Sequence, residues 1–160
     1  MKKYQGKVLR IYVATSVIGG CLDEEFDEDS KRFFSAVIDG KVRMLVSEVV
    51  IEEIREAPKD VQKILDSIPI ECIEIIPLTI EVKELRDAYL QARIVGEKSI
   101  DDASHVACAS VARADAIVSW NFKHIVRLDK MKGYNQVNFL NGYAVLTIIS
   151  PKEVQFNEAD

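Results

Sequence analysis

Cysteine and histidine are scarce in this chain of 160 residues, which contains three cysteines and two histidines. The cysteines are far apart in sequence and lie among apolar residues, so the sequence predicts buried, reduced thiols rather than a disulfide framework. Neither histidine has a cysteine or histidine partner at the spacing of a zinc site. The three cysteines are Cys21, Cys72 and Cys108.

Long apolar runs are also missing. No stretch approaches the ~20 apolar residues that a membrane-spanning helix needs. The first residues, MKKYQGKVLRIYV, lack the apolar region and the cleavage site of a signal peptide. The sequence therefore predicts a cytoplasmic protein that does not enter a membrane.

Positive charge is in deficit, since 21 basic residues face 26 acidic ones and the net charge is −5. This balance excludes a general attraction to nucleic acid, so any such contact requires a local basic patch. One candidate patch follows residue 121, and it is either a solvated surface or a contact for RNA phosphates. Its members are Lys123, His124, Arg127, Lys130 and Lys132. The phosphate-binding patterns GxxxxGK[ST] and GxGxxG are absent, which argues against a nucleotide-binding domain.

What the chain does contain is a regular alternation of short apolar strands and amphipathic helices. Such alternation predicts an α/β fold with three layers (α/β/α) around a central, mainly parallel sheet of about five strands. We expect one domain over residues 1–160, with a loop over residues 133–142, where asparagines and glycines are frequent. The predicted strands are residues 8–14, 42–46, 72–78, 116–120 and 143–149.

The most informative stretch runs from Ser99 into the turn after the fourth predicted strand. Ser99 suits the N-cap of a helix, and Asp102 three residues later can complete a capping box. On a helical wheel Asp102 lies at the edge of the apolar stripe, from which it can point toward Asn121. The same wheel predicts that His105 lies nearer the solvent than the core.

In a parallel sheet, ligands bind beyond the carboxyl ends of the strands, where the strand order reverses. Oxygen-bearing side chains that meet there suit Mg²⁺ or Mn²⁺. Taken singly, Glu53 is a solvated helix acid, Asp102 a helix-start acid and Asn121 a turn residue, so spacing alone does not select them.

Four segments together resemble the PIN-domain family, which includes the VapC-type ribonuclease toxins of toxin–antitoxin pairs. The segments occur in the family's order and span most of the chain, and the helix beginning DAxH followed by SWNFKHI resembles one subgroup. They are YVATSVIGG at residues 12–20, SEVVIEEI at 47–54, DASHVACA at 102–109 and VSWNFKHI at 118–125.

The resemblance implies a divalent-metal site that cleaves RNA, with Glu53 and Asp102 as two of its acids. Asn121 occupies a position where many members carry a further aspartate. Thr15 or Ser16 matches a hydroxyl residue that supports the metal site. The family pattern has its first acid at position 14, and this chain has alanine there.

Ala14 leaves two interpretations open: an engineered inactivation of a toxic nuclease, or a degenerate member whose remaining role is binding. The intact Glu53 and Asp102 favour the first. The resemblance further implies RNA as substrate, Mg²⁺ or Mn²⁺ as cofactor, a cognate antitoxin and a homodimer. The alternative function is an inactive PIN-like module that binds RNA or protein.

Overall fold

A computed structural model describes residues 6–156 of the chain. The five strands form one sheet in which every pair of neighbours is parallel. They are β1 (Leu9–Val13), β2 (Val42–Ser47), β3 (Ile73–Ile76), β4 (Ala116–Val118) and β5 (Thr147–Ile149). The predicted α/β fold is confirmed, although several strands are shorter than predicted. The predicted domain spans 1–160, of which residues 1–5 and 157–160 lie outside the described part.

Seven α-helices of the described residues connect and cover these strands. They are α1 (Thr15–Gly20), α2 (Asp27–Ile38), α3 (Glu48–Arg55), α4 (Lys59–Asp66), α5 (Ile80–Gln91), α6 (Ile100–Val111) and α7 (Leu128–Leu140). The helix α1 packs on α2 and α4, while α5 packs on α6 and α7. These two groups are the outer layers of the predicted α/β/α arrangement.

The strand order is β3-β2-β1-β4-β5. The chain leaves β1 toward one edge of the sheet and leaves β4 toward the other. Because parallel connections are right-handed, this reversal sends the helices to opposite faces and opens a crevice beyond the carboxyl ends of β1 and β4. The crevice is the expected position for a ligand site.

The loop predicted over residues 133–142 is wrong, since most of that stretch belongs to α7. Asn138 is fully buried in this helix and donates a hydrogen bond to Ser110 Oγ at 2.9 Å, and it accepts one from the hydroxyl of Tyr89. Tyr134 is also fully buried. The helix is therefore held by buried contacts with α5 and α6.

Side-chain caps mark the beginnings of two other helices. Ser47 ends β2 and caps α3, because its side chain accepts hydrogen bonds from the backbone N–H groups of Val49 and Val50. Thr79 caps α5 in the same way. None of the helices in residues 6–156 has the length and apolarity needed to cross a membrane.

Candidate active site

The loops after β1 and β4 are joined by hydrogen bonds at the crevice. Ala14 N–H donates to the carbonyl oxygen of Val118 at 3.1 Å, and the backbone N–H of Trp120 donates to Ser16 Oγ at 2.9 Å. The indole N–H of Trp120 is buried and donates to Ser30 Oγ at 2.8 Å. Trp120 therefore packs at the end of β4. We call the joined segments after β1 and β4 the rim, and the candidate site lies on it.

Glu53 reaches this rim from the second turn of α3. Its Oε1 atom accepts a hydrogen bond from the hydroxyl of Thr15 at 2.9 Å and lies 2.6 Å from His105 Nε2. Burial raises the pKa of Glu53, but the hydrogen bond and charge of His105 and the hydrogen bond of Thr15 outweigh it, and the pKa is lowered. Glu53 is therefore an ionised carboxylate at neutral pH.

The prediction that His105 lies near solvent is wrong: its side chain is only 4% exposed. Every residue from Ala103 to Ser110 is buried, because α6 is covered along its whole middle. His105 Nδ1 lies 2.7 Å from the hydroxyl oxygen of Tyr12, which in turn lies 2.6 Å from Ser47 Oγ. Sequence reasoning missed His105, Tyr12 and Ser47 as parts of the site, since each has an ordinary local explanation.

Asp102 lies in the first turn of α6 and accepts a hydrogen bond from the side-chain amide of Asn121, with 2.9 Å between Oδ1 and Nδ2. This contact confirms the predicted approach of the two residues. The predicted capping box is wrong, because Ser99 occupies the N-cap position without a side-chain hydrogen bond.

Burial raises the pKa of Asp102 and, with a further contribution from the charge of Glu53, outweighs the lowering effects of His105, His124 and the Asn121 amide. The charge of Glu53 thus acts on Asp102, although it is the smallest of the causes that shift the Asp102 pKa. A cation between them relieves this cost, because it stabilises both charges.

Ala14 follows the last residue of β1 at the centre of this rim and is 3% exposed. Its methyl group offers no ligand atom. Within residues 6–156 no group of three or more His, Cys, Asp or Glu side chains is arranged to hold a metal ion. The chemistry of the donors still fits a divalent cation, because Glu53 and Asp102 each keep one carboxylate oxygen outside the hydrogen bonds described above. Position 14 adds no third ligand to this pair.

Asn121 uses its amide oxygen elsewhere: Oδ1 accepts hydrogen bonds from the backbone N–H groups of Lys123 and His124 at 3.1 and 2.9 Å. The amide thus shapes the turn after β4 while its nitrogen faces Asp102. Direct metal ligation by this oxygen requires these two hydrogen bonds to break.

The basic patch is only partly available for phosphates. Arg127 donates two hydrogen bonds to Asp129, at 2.6 and 2.7 Å, and lowers the pKa of that carboxyl to about 2. Lys130 Nζ donates to the carbonyl oxygen of Ile94 at 2.6 Å. Lys123 and Lys132 are exposed. His124 is half-buried, and its Nδ1 atom is buried without a hydrogen-bond partner among the described residues.

An acidic groove runs from the site between α3 and α6. Glu48, Glu52, Glu53 and Asp101 line it, together with Arg55 and apolar side chains. Arg55 is paired with Glu52 at 2.6 Å, so the remaining carboxylates leave the groove negative. Such a groove attracts cations, and it repels phosphate groups whose charge is not neutralised by a bound cation.

A family model described as the PIN domain matches residues 13–123 of the chain. This match spans more than half of the sequence and contains Ala14, Glu53, Asp102 and Asn121. The chain belongs to the PIN domain family. PIN domains are generally nucleases, and PIN nucleases typically use divalent metals.

Solved structures share the fold at low sequence identity. A chain of FitAB bound to an IR36 DNA fragment is 12% identical with a TM-score of 0.59, over 92% of this chain and 99% of that one. FitAcB from Neisseria gonorrhoeae is 14% identical with a TM-score of 0.56, over 90% and 99%. VapBC2 from Rickettsia felis, bound to a DNA fragment from their promoter, is 12% identical with a TM-score of 0.54, over 88% and 97%. A sequence comparison with curated proteins gave no match.

Proposed function

We propose that this chain is a divalent-metal-dependent endoribonuclease of the VapC type, the toxin of a toxin–antitoxin pair, with activity impaired by Ala14. The observation that supports the proposal is that two carboxylates from different helices bond the segments after β1 and β4, where the strand order reverses: Glu53 bonds Thr15, and Asp102 bonds Asn121. The membership of the PIN domain family supports the same class of chemistry.

The proposed site uses Asp102 and Glu53 as the charged ligands of Mg²⁺ or Mn²⁺, with Asn121 in a supporting position. A bound ion of this kind supplies Lewis acidity and an activated water for phosphodiester hydrolysis. The protein's own side chains provide negative charge, the Thr15 hydroxyl that orients Glu53, and the Ser16 hydroxyl that holds the two loops together. Lys123, His124 and Arg127 are the proposed contacts for RNA.

The acidic groove supports the proposal of an antitoxin partner. A basic side chain of the antitoxin that enters the groove competes with the cation for the same carboxylates, which inhibits the nuclease by charge alone. A homodimer, a single domain over residues 1–160 and membership of the SWNFKH subgroup remain predictions.

A second candidate function is a PIN-like module that binds RNA or protein without catalysis. Ala14 favours it, because the acidic site lacks one ligand. Both candidate functions are compatible with the fold and the groove. They differ in the expected effect of a carboxylate at position 14, which restores metal binding and cleavage only if the chain is a nuclease.

The test compares the parent chain with Ala14→Asp, Ala14→Asn and the double variant Ala14→Asp/Asp102→Asn. Calorimetric titration with Mn²⁺ and cleavage of single-stranded RNA are the two readouts. We expect Ala14→Asp to bind Mn²⁺ more tightly and to gain metal-dependent cleavage, and we expect the double variant to lose both.

Ala14→Asn is the matched control, because it adds nearly the same volume without charge. Equal behaviour of the Asp and Asn variants means that bulk, not a carboxylate, is responsible. If Ala14→Asp gains neither binding nor cleavage, the nuclease proposal fails and the binding module replaces it.

A further inference from the structure

A chain of hydrogen bonds leads from the core to Glu53 through three buried side chains. Ser47 Oγ lies 2.6 Å from Tyr12 Oη, Tyr12 Oη lies 2.7 Å from His105 Nδ1, and His105 Nε2 lies 2.6 Å from Glu53 Oε1. The four residues come from β2, β1, α6 and α3 in that order. We call Ser47, Tyr12 and His105 the buried triad.

The triad is buried throughout. Ser47 and Tyr12 are 0% exposed and His105 is 4% exposed. A buried polar group is costly unless it is hydrogen-bonded, and every group of the triad has partners on both sides. Breaking one link takes a partner from two buried groups at once, and this cost favours the observed arrangement.

The direction of the donors follows from the ends of the triad. Ser47 Oγ accepts from the backbone N–H groups of Val49 and Val50, so its own hydrogen is free to be donated to Tyr12. Burial is the main cause that raises the pKa of Tyr12 well above its usual value, so Tyr12 stays a neutral phenol that can both donate and accept. The ionised Glu53 can only accept hydrogen bonds, so His105 Nε2 carries the hydrogen that faces it.

Both hydrogen bonds to Glu53, from Thr15 and His105, end on Oε1. The carboxylate is therefore held by one oxygen, while Oε2 makes no hydrogen bond within the described residues. The side chain is 35% exposed, so without these contacts it has room to adopt other rotamers. The two contacts select one of them.

We propose that His105 is a positioning residue of the site: the buried triad holds Glu53 by Oε1 and presents Oε2 to a hard divalent cation. This inference rests on the proposed function for the identity of the ligand. Outer residues that orient metal ligands typically change metal affinity by about 10- to 100-fold when they are replaced.

The first experiment needs no metal. Nitrogen-15 NMR of the unmodified chain at pH 7.5 reports which ring nitrogens of His105 carry hydrogen. We expect a hydrogen on Nε2. An Nε2 without hydrogen overturns the inference, because it cannot donate to the Glu53 carboxylate.

The second experiment measures Mn²⁺ affinity by calorimetry in the Ala14→Asp background. We expect His105→Leu to weaken binding by about 10- to 100-fold and Tyr12→Phe to weaken it less. His105→Gln should recover part of the loss, because its amide nitrogen reaches toward Glu53 as Nε2 does.

Tyr89→Phe is the matched control for Tyr12→Phe. Tyr89 is also 0% exposed, and its hydroxyl bonds Ser110 and Asn138 rather than any residue of the site. We expect this variant to lose stability but to keep the affinity for Mn²⁺. Equal losses of affinity in the two tyrosine variants, or no rescue by His105→Gln, make the triad merely structural and overturn the inference.

The two proposals fail in different ways. If Ala14→Asp binds no Mn²⁺, the proposed function fails, and the NMR result alone decides whether His105 holds Glu53. If Ala14→Asp binds Mn²⁺ and the His105 variants bind it equally well, the nuclease proposal stands and the role of His105 is refuted.

Discussion

The side-chain amide of Asn121 donates a hydrogen bond to the carboxylate of Asp102, and its oxygen receives two backbone N–H groups from the following turn. Turning the amide over brings its oxygen to the carboxylate and its NH₂ group to the N–H donors. The network therefore assigns one orientation to the amide. The hydrogen bond from Asn121 lowers the pKa of Asp102 and so favours its ionised form. An aspartate at position 121 has no amide to donate such a hydrogen bond.

We predict that Asn121→Asp destabilises the chain in EDTA by about 2 kcal/mol, because a hydrogen bond to a charged group is replaced by repulsion between two carboxylates. Mn²⁺ should restore more thermal stability in this variant than in the parent. Thermal unfolding with EDTA and with Mn²⁺ measures both effects. Gln136→Glu adds the same charge at an exposed position of α7 and serves as control. Identical shifts in the two variants contradict the prediction.

Gly20 and Gly19 form a matched pair in α1. A Cβ atom at Gly20 meets Ser30 Oγ at 2.6 Å and Trp120 Nε1 at 2.7 Å, whereas one at Gly19 meets nothing within 4 Å. We expect Gly20→Ala to lower the free energy of unfolding by about 1–3 kcal/mol through overpacking. Gly19→Ala should raise it by about 0.5 kcal/mol, since it restricts the unfolded chain. Urea unfolding checks both, and a tolerated Gly20→Ala refutes the close packing around Trp120.

Asn138 tests the buried contacts that hold α7. Replacing it with alanine removes one partner each from Tyr89 and Ser110, which keep only the long 3.3 Å hydrogen bond to each other in the core. We expect a loss of about 2–3 kcal/mol in the free energy of unfolding, measured in urea. The exposed neighbour Gln136→Ala should change stability by less than about 0.5 kcal/mol. A comparably small effect of Asn138→Ala counts against the burial of this residue.

The ion pair of Arg10 and Glu74 gives a pH dependence of stability. The hydrogen bonds of Arg10, with the charges of Arg10 and Arg43, outweigh partial burial and lower the pKa of Glu74 from its ordinary 4.5. Because the pKa of Glu74 is lower in the folded state, its contribution to stability is complete above the pKa of the unfolded state. The contribution disappears as the pH falls through the pKa of the folded state. Both side chains are about one third exposed, so we expect only ~1 kcal/mol at pH 7.

The measurement is the difference in unfolding free energy between the parent and Glu74→Gln at several pH values. It should be constant above about pH 5 and shrink below pH 4.5. Glu84→Gln, at an exposed position of α5, is the control and should show no such trend. A difference that persists unchanged into acid solution rules out the ion pair as its source.

The three cysteines should differ in reactivity. Burial raises the pKa of both Cys21 and Cys108 to about 11, so neither is a thiolate at pH 8. Cys72 is partly exposed. We expect a disulfide reagent at pH 8 to label one thiol per chain quickly and all three in urea. Fast labelling of two or three thiols in the folded chain contradicts the burial of Cys21 and Cys108.

Sequence reasoning succeeded where the signal is local. The apolar strands, the position of Asp102 at the edge of its helix and the turn at Asn121 each follow from neighbours in the sequence. It failed for α7, because asparagines and glycines resemble a loop and the stabilising partners of Asn138 lie in α5 and α6. It failed for His105 because a helical wheel assumes that a helix has a solvent side. The central part of α6 has none.

The strand order also has a consequence during synthesis of the protein. Ile11 of β1 pairs with Ala116 of β4, so the central strand waits for a neighbour that is translated more than a hundred residues later. A nascent chain that ends after α5 already contains Glu53 but has not yet acquired Asp102 or Asn121. The candidate site therefore stays incomplete on the ribosome until the segment that carries Asp102 and Asn121 has been made.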